Sequence, residues 1–139
     1  MSVFSNLLKA AGEGALAAID GVPSGDITSF TDTGSLALNA LISGSLYGGQ
    51  PRGKVTAIAG EEATGKTYFA ISMSKEFLDE HPTGVVFYFE SEGSITKEML
   101  ESRGIDLNRF IVIPVITIQD YRTRALNVLK EFSGMKEED

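Results

Sequence analysis

Apolar residues recur at helical spacing from the start of the chain, at Val3, Phe4, Leu7, Leu8 and Ala11, and predict a short amphipathic helix. Its Ala-rich continuation is interrupted by Gly12 and Gly14, which weaken any further helix. From 21 to 34 the pattern gives way to Gly, Ser, Thr and Asp with Pro23, reading as a linker around one short strand at 27–30. A boundary is expected there, dividing an N-terminal helix and linker, 1–31, from a core, 32–139. The Phe4, Leu7, Leu8 stripe serves either as core or as a docking face for a neighbouring subunit.

Within the core the period changes back and forth between strand-like and helical. Residues 35–42 are helical, with Leu36, Ala37, Ala40 and Leu41 on one side, and stop at Gly44 before a turn at Gly48 and Gly49. Three short apolar runs, 55–59, 85–89 and 110–115, read as strands buried on both faces of a parallel sheet. Between and after them lie helical segments. The first covers 66–80 and is closed by Pro82, which pushes His81 out of helical geometry. The second has Thr96 as its N-cap and Gly104 as a left-handed stop. The third opens with Thr117 and Asp120 in capping-box spacing and carries Tyr121, Ala125, Val128, Leu129 and Phe132 on one face. Strand and helix in alternation imply right-handed crossovers and a parallel sheet covered by helices on both faces, so the fold class is α/β.

Composition narrows the chemistry. The 139 residues, 42% of them hydrophobic, suffice for one core. Twelve Lys and Arg against 19 Asp and Glu give a net charge of −7, the wrong sign for gripping DNA over a broad basic face, so any nucleic-acid contact is local. There is no Cys, and His81 is the one histidine, which excludes thiolate and His-based metal sites and leaves magnesium on oxygen ligands. His81 itself reads as a surface residue at a helix end, and residues 136–139 as a solvated charged tail. No apolar run reaches the roughly 18 residues of a membrane span, and no leader pattern opens the chain, so a cytoplasmic location is expected.

The strongest motif is Gly60-Glu61-Glu62-Ala63-Thr64-Gly65-Lys66-Thr67, which fits G-x-x-x-x-G-K-[ST] between an expected strand and an expected helix. The bland alternative is a Gly-rich strand-to-helix turn. Gly60 and Gly65 permit backbone forms that aim successive amides at an anion, and the helix beginning near Lys66 adds the positive end of its dipole. In that reading Lys66 reaches the β- and γ-phosphates of ATP, the Thr67 hydroxyl ligates Mg²⁺, and Tyr68 continues the nucleotide-contacting set. At the end of the second expected strand, Glu90 and Glu92 stand where ligands sit in open α/β sheets. Glu92 either orients and deprotonates a water beside the γ-phosphate or is a solvated loop carboxylate.

The text around the motif decides between families. Thr33-Gly34-Ser35-Leu36-Ala37-Leu38-Asn39, then Leu46-Tyr47-Gly48-Gly49, then Gly53-Lys54-Val55 resemble the opening of a RecA-type ATPase core. Residues 87–96, from Phe87 through Glu90-Ser91-Glu92-Gly93 to Thr96, and Ser102-Arg103-Gly104-Ile105-Asp106 are similar to the next family segment, in the version found in phage recombinases of the UvsX type. The resemblance runs from about 32 to about 132. It implies a P-loop NTPase fold, with Lys66 and Glu92 catalytic, Glu92 being the glutamate that activates water. The family places an aromatic at the position of Met99, against the adenine, and an acidic residue in some members at Thr96.

The resemblance further implies a DNA-dependent ATPase that exchanges strands on single-stranded DNA as a homo-oligomeric filament, in a DNA repair and recombination role. The family's next strand, with its Mg²⁺-supporting Asp, and the DNA-holding loops would follow Asp139. On that expectation the chain is an incomplete core that works with another recombinase polypeptide, and single-stranded DNA is not bound by this chain alone. A second reading is a non-catalytic module that associates with a full-length recombinase through its N-terminal helix and modulates filament assembly. A third, an unrelated P-loop phosphotransferase, lacks any visible acceptor-binding residues or lid.

Overall fold

The Ser2 hydroxyl accepts the Ser5 amide at 3.3 Å and so opens the first helix, α1 (Val3–Ala10). The computed structural model describes residues 2–20, 22 and 25–135. The expected solvated tail at 136–139, and Gly21 and Pro23 of the expected linker, lie outside the described residues. Helix α1 buries none of its residues, and Val3, Phe4 and Leu7 of its apolar stripe are exposed rather than packed in a core. After a 3₁₀ turn at Ala18–Asp20, strand β1 (Phe30–Thr31) pairs with the later β2 (Gln50–Pro51) in antiparallel register, Phe30 opposite Pro51 and Thr31 opposite Gln50. The strand expected at 27–30 thus begins only at Phe30. Ladder pairing sets the end of a strand, and nothing among the described residues pairs with Ile27.

Between those strands lies α2 (Leu36–Ser43), capped by the Ser35 hydroxyl on the Leu38 amide at 3.4 Å and stopped by Gly44 at φ 75°. Its fully buried polar residue, Asn39, organises the surrounding turn. Asn39 Oδ1 accepts the Thr33 amide at 3.0 Å and the Thr33 hydroxyl at 2.7 Å. Its Nδ2 donates to Asp32 Oδ1 at 3.1 Å and to the Leu46 carbonyl at 3.0 Å. A buried amide with its donors and acceptors satisfied fixes one conformation of the loop. Gly49 stands so close to β1 that a Cβ would meet the Thr31 carbonyl at 2.2 Å, so only glycine fits there. These elements make up the first of two compact units, Met1–Ile58; the second is Ala59–Asp139.

The second unit is an alternating α/β body. Helix α3 (Lys66–Glu80) ends as anticipated, His81 adopting φ −120° before Pro82. Strand β3 (Val86–Glu90) and strand β4 (Phe110–Pro114) are parallel, in register from Val86 with Phe110 to Glu90 with Pro114. Helix α4 (Lys97–Ser102) forms the crossover between them, with Thr96 accepting the Met99 amide at 3.2 Å and Gly104 in the left-handed form at φ 72°. Helix α5 (Ile118–Met135) starts with the Thr117 hydroxyl accepting the Asp120 amide at 3.1 Å.

Strand alternation then sorts the side chains. Val86 and Tyr88 face a core formed by Ile71 and Leu78 of α3, Leu100 of α4, Ile105 and Phe110, in which each large side chain contributes about 1.5–3 kcal/mol by burial. Phe89, on the opposite face, meets Tyr121 of α5 edge-on at 4.8 Å. Arg109 ties the end of α3 to this sheet. Its Nη1 donates to the carbonyls of Leu78 (3.0 Å) and His81 (2.8 Å), and its Nε to Asp106 at 2.8 Å.

One expected strand is absent. Residues 55–59 form no ladder with any described residue, and Val55 is 101% exposed. An apolar run becomes a strand only when neighbours take up its N–H and C=O groups, and the sheet here has two strands, not three.

Candidate functional site

The second unit holds the glycine-rich motif and both acidic residues. Gly65 is the N-cap of α3 in a left-handed conformation, φ 90°, and offers no side chain to the first turn. The first amides of a helix have no intrahelical acceptor, so this end presents free N–H donors and a positive dipole end. Ala63, at φ 60°, is in the left-handed region that an L residue enters at a cost of about 1 kcal/mol, the kind of bend from which amide nests are built. A Cβ at Gly60 would meet Thr64 Oγ1 at 2.9 Å, so a larger residue there would turn the Thr64 hydroxyl aside. The Thr64 hydroxyl donates to the Glu61 carbonyl at 2.8 Å and draws the loop closed.

Lys66 is held across the loop, its Nζ donating to the Gly60 carbonyl at 2.9 Å and the Glu61 carbonyl at 2.6 Å. Glu62, Ala63, Thr64, Gly65, Lys66 and Thr67 line one cleft of about 490 Å³, and Glu92 lines the same cleft. Gly60 and Glu61 supply the carbonyls that hold Lys66 rather than cleft wall. A cleft walled by loop amides, a helix N-terminus and an ammonium fits a polyphosphate.

Glu90 reaches back along its own turn: Oε1 accepts the amides of Glu92 at 2.7 Å and Gly93 at 3.0 Å, shaping the loop from which Glu92 projects. A smaller cavity, about 110 Å³, lies between Thr67 and this turn and is lined also by Tyr88, Ser91 and Ser94. The Thr67 hydroxyl with two carboxylates is an all-oxygen donor set, which suits Mg²⁺ and not a soft metal. Tyr88 has its phenol pushed up, first by burial and then by the charges of Glu90 and Glu92.

The two residues expected beyond the phosphates part company. Tyr68 lines a separate pocket of about 280 Å³ with Ile71, Ser72, Lys75, Ser102 and Arg103, and the Arg103 guanidinium stacks 4.4 Å from the centre of its ring. Met99 does not line the 490 Å³ cleft; it packs against the Ile71, Leu78 and Leu100 cluster. Ser72 and Lys75 were not among the residues picked out from the sequence, and Arg103 entered only as part of the 102–106 segment of the resemblance. The signal for two of them was there, since Tyr68, Ser72 and Lys75 at i, i+4 and i+7 share a helix face. Arg103 arrives from α4 and no spacing rule reaches it.

The cleft lies where a glycine-rich loop enters a helix of an α/β unit. The chain belongs to the RecA N-terminal domain family, whose pattern matches residues 2–133. It is 30% identical over 92 residues to the "Recombination and repair protein" of Enterobacteria phage T4, covering 66% of this chain and 23% of that protein. It is 38% identical over 80 residues to the "Protein RecA" of Malacoplasma penetrans, covering 58% of this chain and 23% of that protein. With the "DNA repair and recombination protein RadB" of Pyrococcus abyssi it shares 37% identity over 93 residues, covering 61% and 38%. The chain spans less than half the length of each of these relatives. No helix of the described residues is long and apolar enough to cross a membrane.

Proposed function

We propose that this chain is the ATP-binding portion of a RecA-like DNA recombination and repair protein, built as a P-loop NTPase core over 32–139 with the helix and linker of 1–31 ahead of it. The observation that carries the reading is the convergence on one cleft of Lys66, the uncapped start of α3 and Glu92, which comes from the turn after β3. In this reading residues 60–67 cradle the β- and γ-phosphates of ATP with backbone amides, and Lys66 leaves its loop carbonyls to pair with them. The Thr67 hydroxyl holds Mg²⁺, which when bound neutralises phosphate charge. Glu92, its turn held by Glu90, accepts the proton of the attacking water at its carboxylate. Strand exchange on single-stranded DNA and assembly with recombinase subunits belong to the complete family and are proposed for this chain only as part of such an assembly.

The test is phosphate release from Mg-ATP with and without single-stranded DNA. Release that disappears in both Lys66→Ala and Glu92→Gln, while Glu92→Gln still binds ATP, supports the reading; release that persists in Glu92→Gln removes that carboxylate from it.

A second reading is favoured by one feature, the exposed Val3, Phe4 and Leu7 stripe of α1. It is a non-catalytic module that docks on a full-length recombinase through this helix. Deleting residues 1–30 should then abolish capture of the recombinase while Mg-ATP binding survives; capture that persists would set the docking role aside.

A further inference from the structure

Two arginines of the second unit use their donors differently. Arg109 gives its N–H groups to the carbonyls of Leu78 and His81 and to Asp106. Arg103, the C-cap of α4, lays its guanidinium on the Tyr68 ring, and among the described residues no acceptor meets its N–H groups. The carbonyls that a cation at a helix C-terminus would otherwise bind are taken. The Ser102 hydroxyl holds that of Met99 at 3.0 Å, the amides of Arg103 and Ile105 hold that of Leu100 at 3.2 and 3.1 Å, and the Gly104 amide holds that of Glu101 at 3.0 Å. The same bonds blunt the negative end of α4 toward an anion.

Arg103 lines a pocket of about 280 Å³ with Tyr68, Ile71, Ser72 and Lys75 of α3 and Ser102 of α4. In a chain of net charge −7, no carboxylate among the described residues lines it. The Ser72 hydroxyl, half-buried, has no hydrogen-bond partner among the described residues, and the Lys75 ammonium, paired with Asp79, keeps two further N–H groups. The complement of a guanidinium fork, an ammonium and a hydroxyl is an anionic group made of acceptors. The volume falls just short of the roughly 300 Å³ at which whole small-molecule sites begin, so it suits one compact group. A carboxylate has two oxygens, both engaged by the fork; a tetrahedral phosphate keeps further oxygens for Ser72 and Lys75.

We propose that this pocket is an oxyanion site for a phosphate group, separate from the cleft at 62–67. The Arg103 guanidinium keeps one face on Tyr68 and presents its edge to the phosphate. The site stands whether or not the other cleft takes a nucleotide.

The experiment titrates inorganic phosphate, at fixed ionic strength, into the isotope-labelled chain and follows the Arg103 Nε–Hε and Ser72 amide resonances. Both should move and saturate in the wild type and in Lys66→Ala. Arg103→Gln should weaken the Ser72 response at least about tenfold, and Ser72→Ala should weaken the Arg103 response about fivefold. The amide spectrum of each variant shows directly that it has folded. Phenyl phosphate, titrated alongside, separates the sources of the group: tighter binding than inorganic phosphate assigns the pocket a phosphate ester, weaker binding the free ion. Responses confined to 60–67, or lost in Lys66→Ala, would overturn the proposal by placing the phosphate in the other cleft. Acetate moving the same resonances as far as phosphate does would overturn it too, as would no response at Arg103 and Ser72.

Discussion

Helices α2 and α3 begin in opposite ways. At α2 the chain closes its own helix end: Ser35 caps it, and Asn39, buried, binds the Thr33 amide, the Thr33 hydroxyl, Asp32 and the Leu46 carbonyl. At α3 the N-cap is Gly65, no side chain takes the first amides, and Lys66 rests on loop carbonyls from which a stronger acceptor can draw it. Both segments are part of the resemblance to RecA-type cores, so resemblance alone does not separate scaffold from site. Hydrogen-bond bookkeeping does. A helix end satisfied from within is structural, and one left open beside an ammonium is the arrangement proposed above to take an anion.

The comparison can be broken from either side. Asn39→Ala removes the acceptor of the buried Thr33 amide and hydroxyl beside that end; it should cost about 3 kcal/mol, read as a lower urea midpoint. A midpoint unchanged in that variant would mean the network is not what holds the turn. Gly65→Asp closes the open end with a carboxylate of its own. The strained left-handed backbone should cost about 1–2 kcal/mol, and Mg-ATP affinity should fall by more than about tenfold; unaltered affinity would show that the start of α3 is not the phosphate seat.

The smallest effect belongs to a region with no proposed ligand, the Asp106–Arg109 clamp at the end of α3. The Arg109 hydrogen bond, followed by the Asn108 amide, holds the Asp106 carboxyl below the usual carboxylate range. A group depressed in the folded state contributes stability above its unfolded value and loses it as pH falls through the folded one. Wild type and Asp106→Asn should therefore differ at neutral pH and converge on acidification below the carboxylate range, as urea midpoints across pH would show. A difference independent of pH would deny the charge any part in the clamp.

What was legible in the sequence follows from how local each feature is. Helix α3 has its expected bounds because Gly65, His81 and Pro82 act on their own backbone, and Thr96, Gly104 and Thr117 act where expected for the same reason. The 55–59 strand was not obtained because pairing depends on a partner segment that no local apolar run reveals. That 62–67 line one cleft could be read because Gly65, Lys66 and Thr67 are fixed by spacing within one loop. The turn that Glu90 braces and the Arg103 guanidinium over Tyr68 could not, the first because side-chain reach is not encoded in spacing, the second because it joins two helices far apart in the chain.

The central claim, that the open start of α3 with Lys66 is a nucleotide phosphate site, is tested most directly by calorimetric titration of Mg-ATP into the wild-type chain and into Lys66→Ala. The account predicts binding to the wild type and a loss of about 1.5–3 kcal/mol, roughly 10- to 150-fold, in the variant, with its urea midpoint unchanged. Equal affinity for the two chains, or none for either, would contradict it.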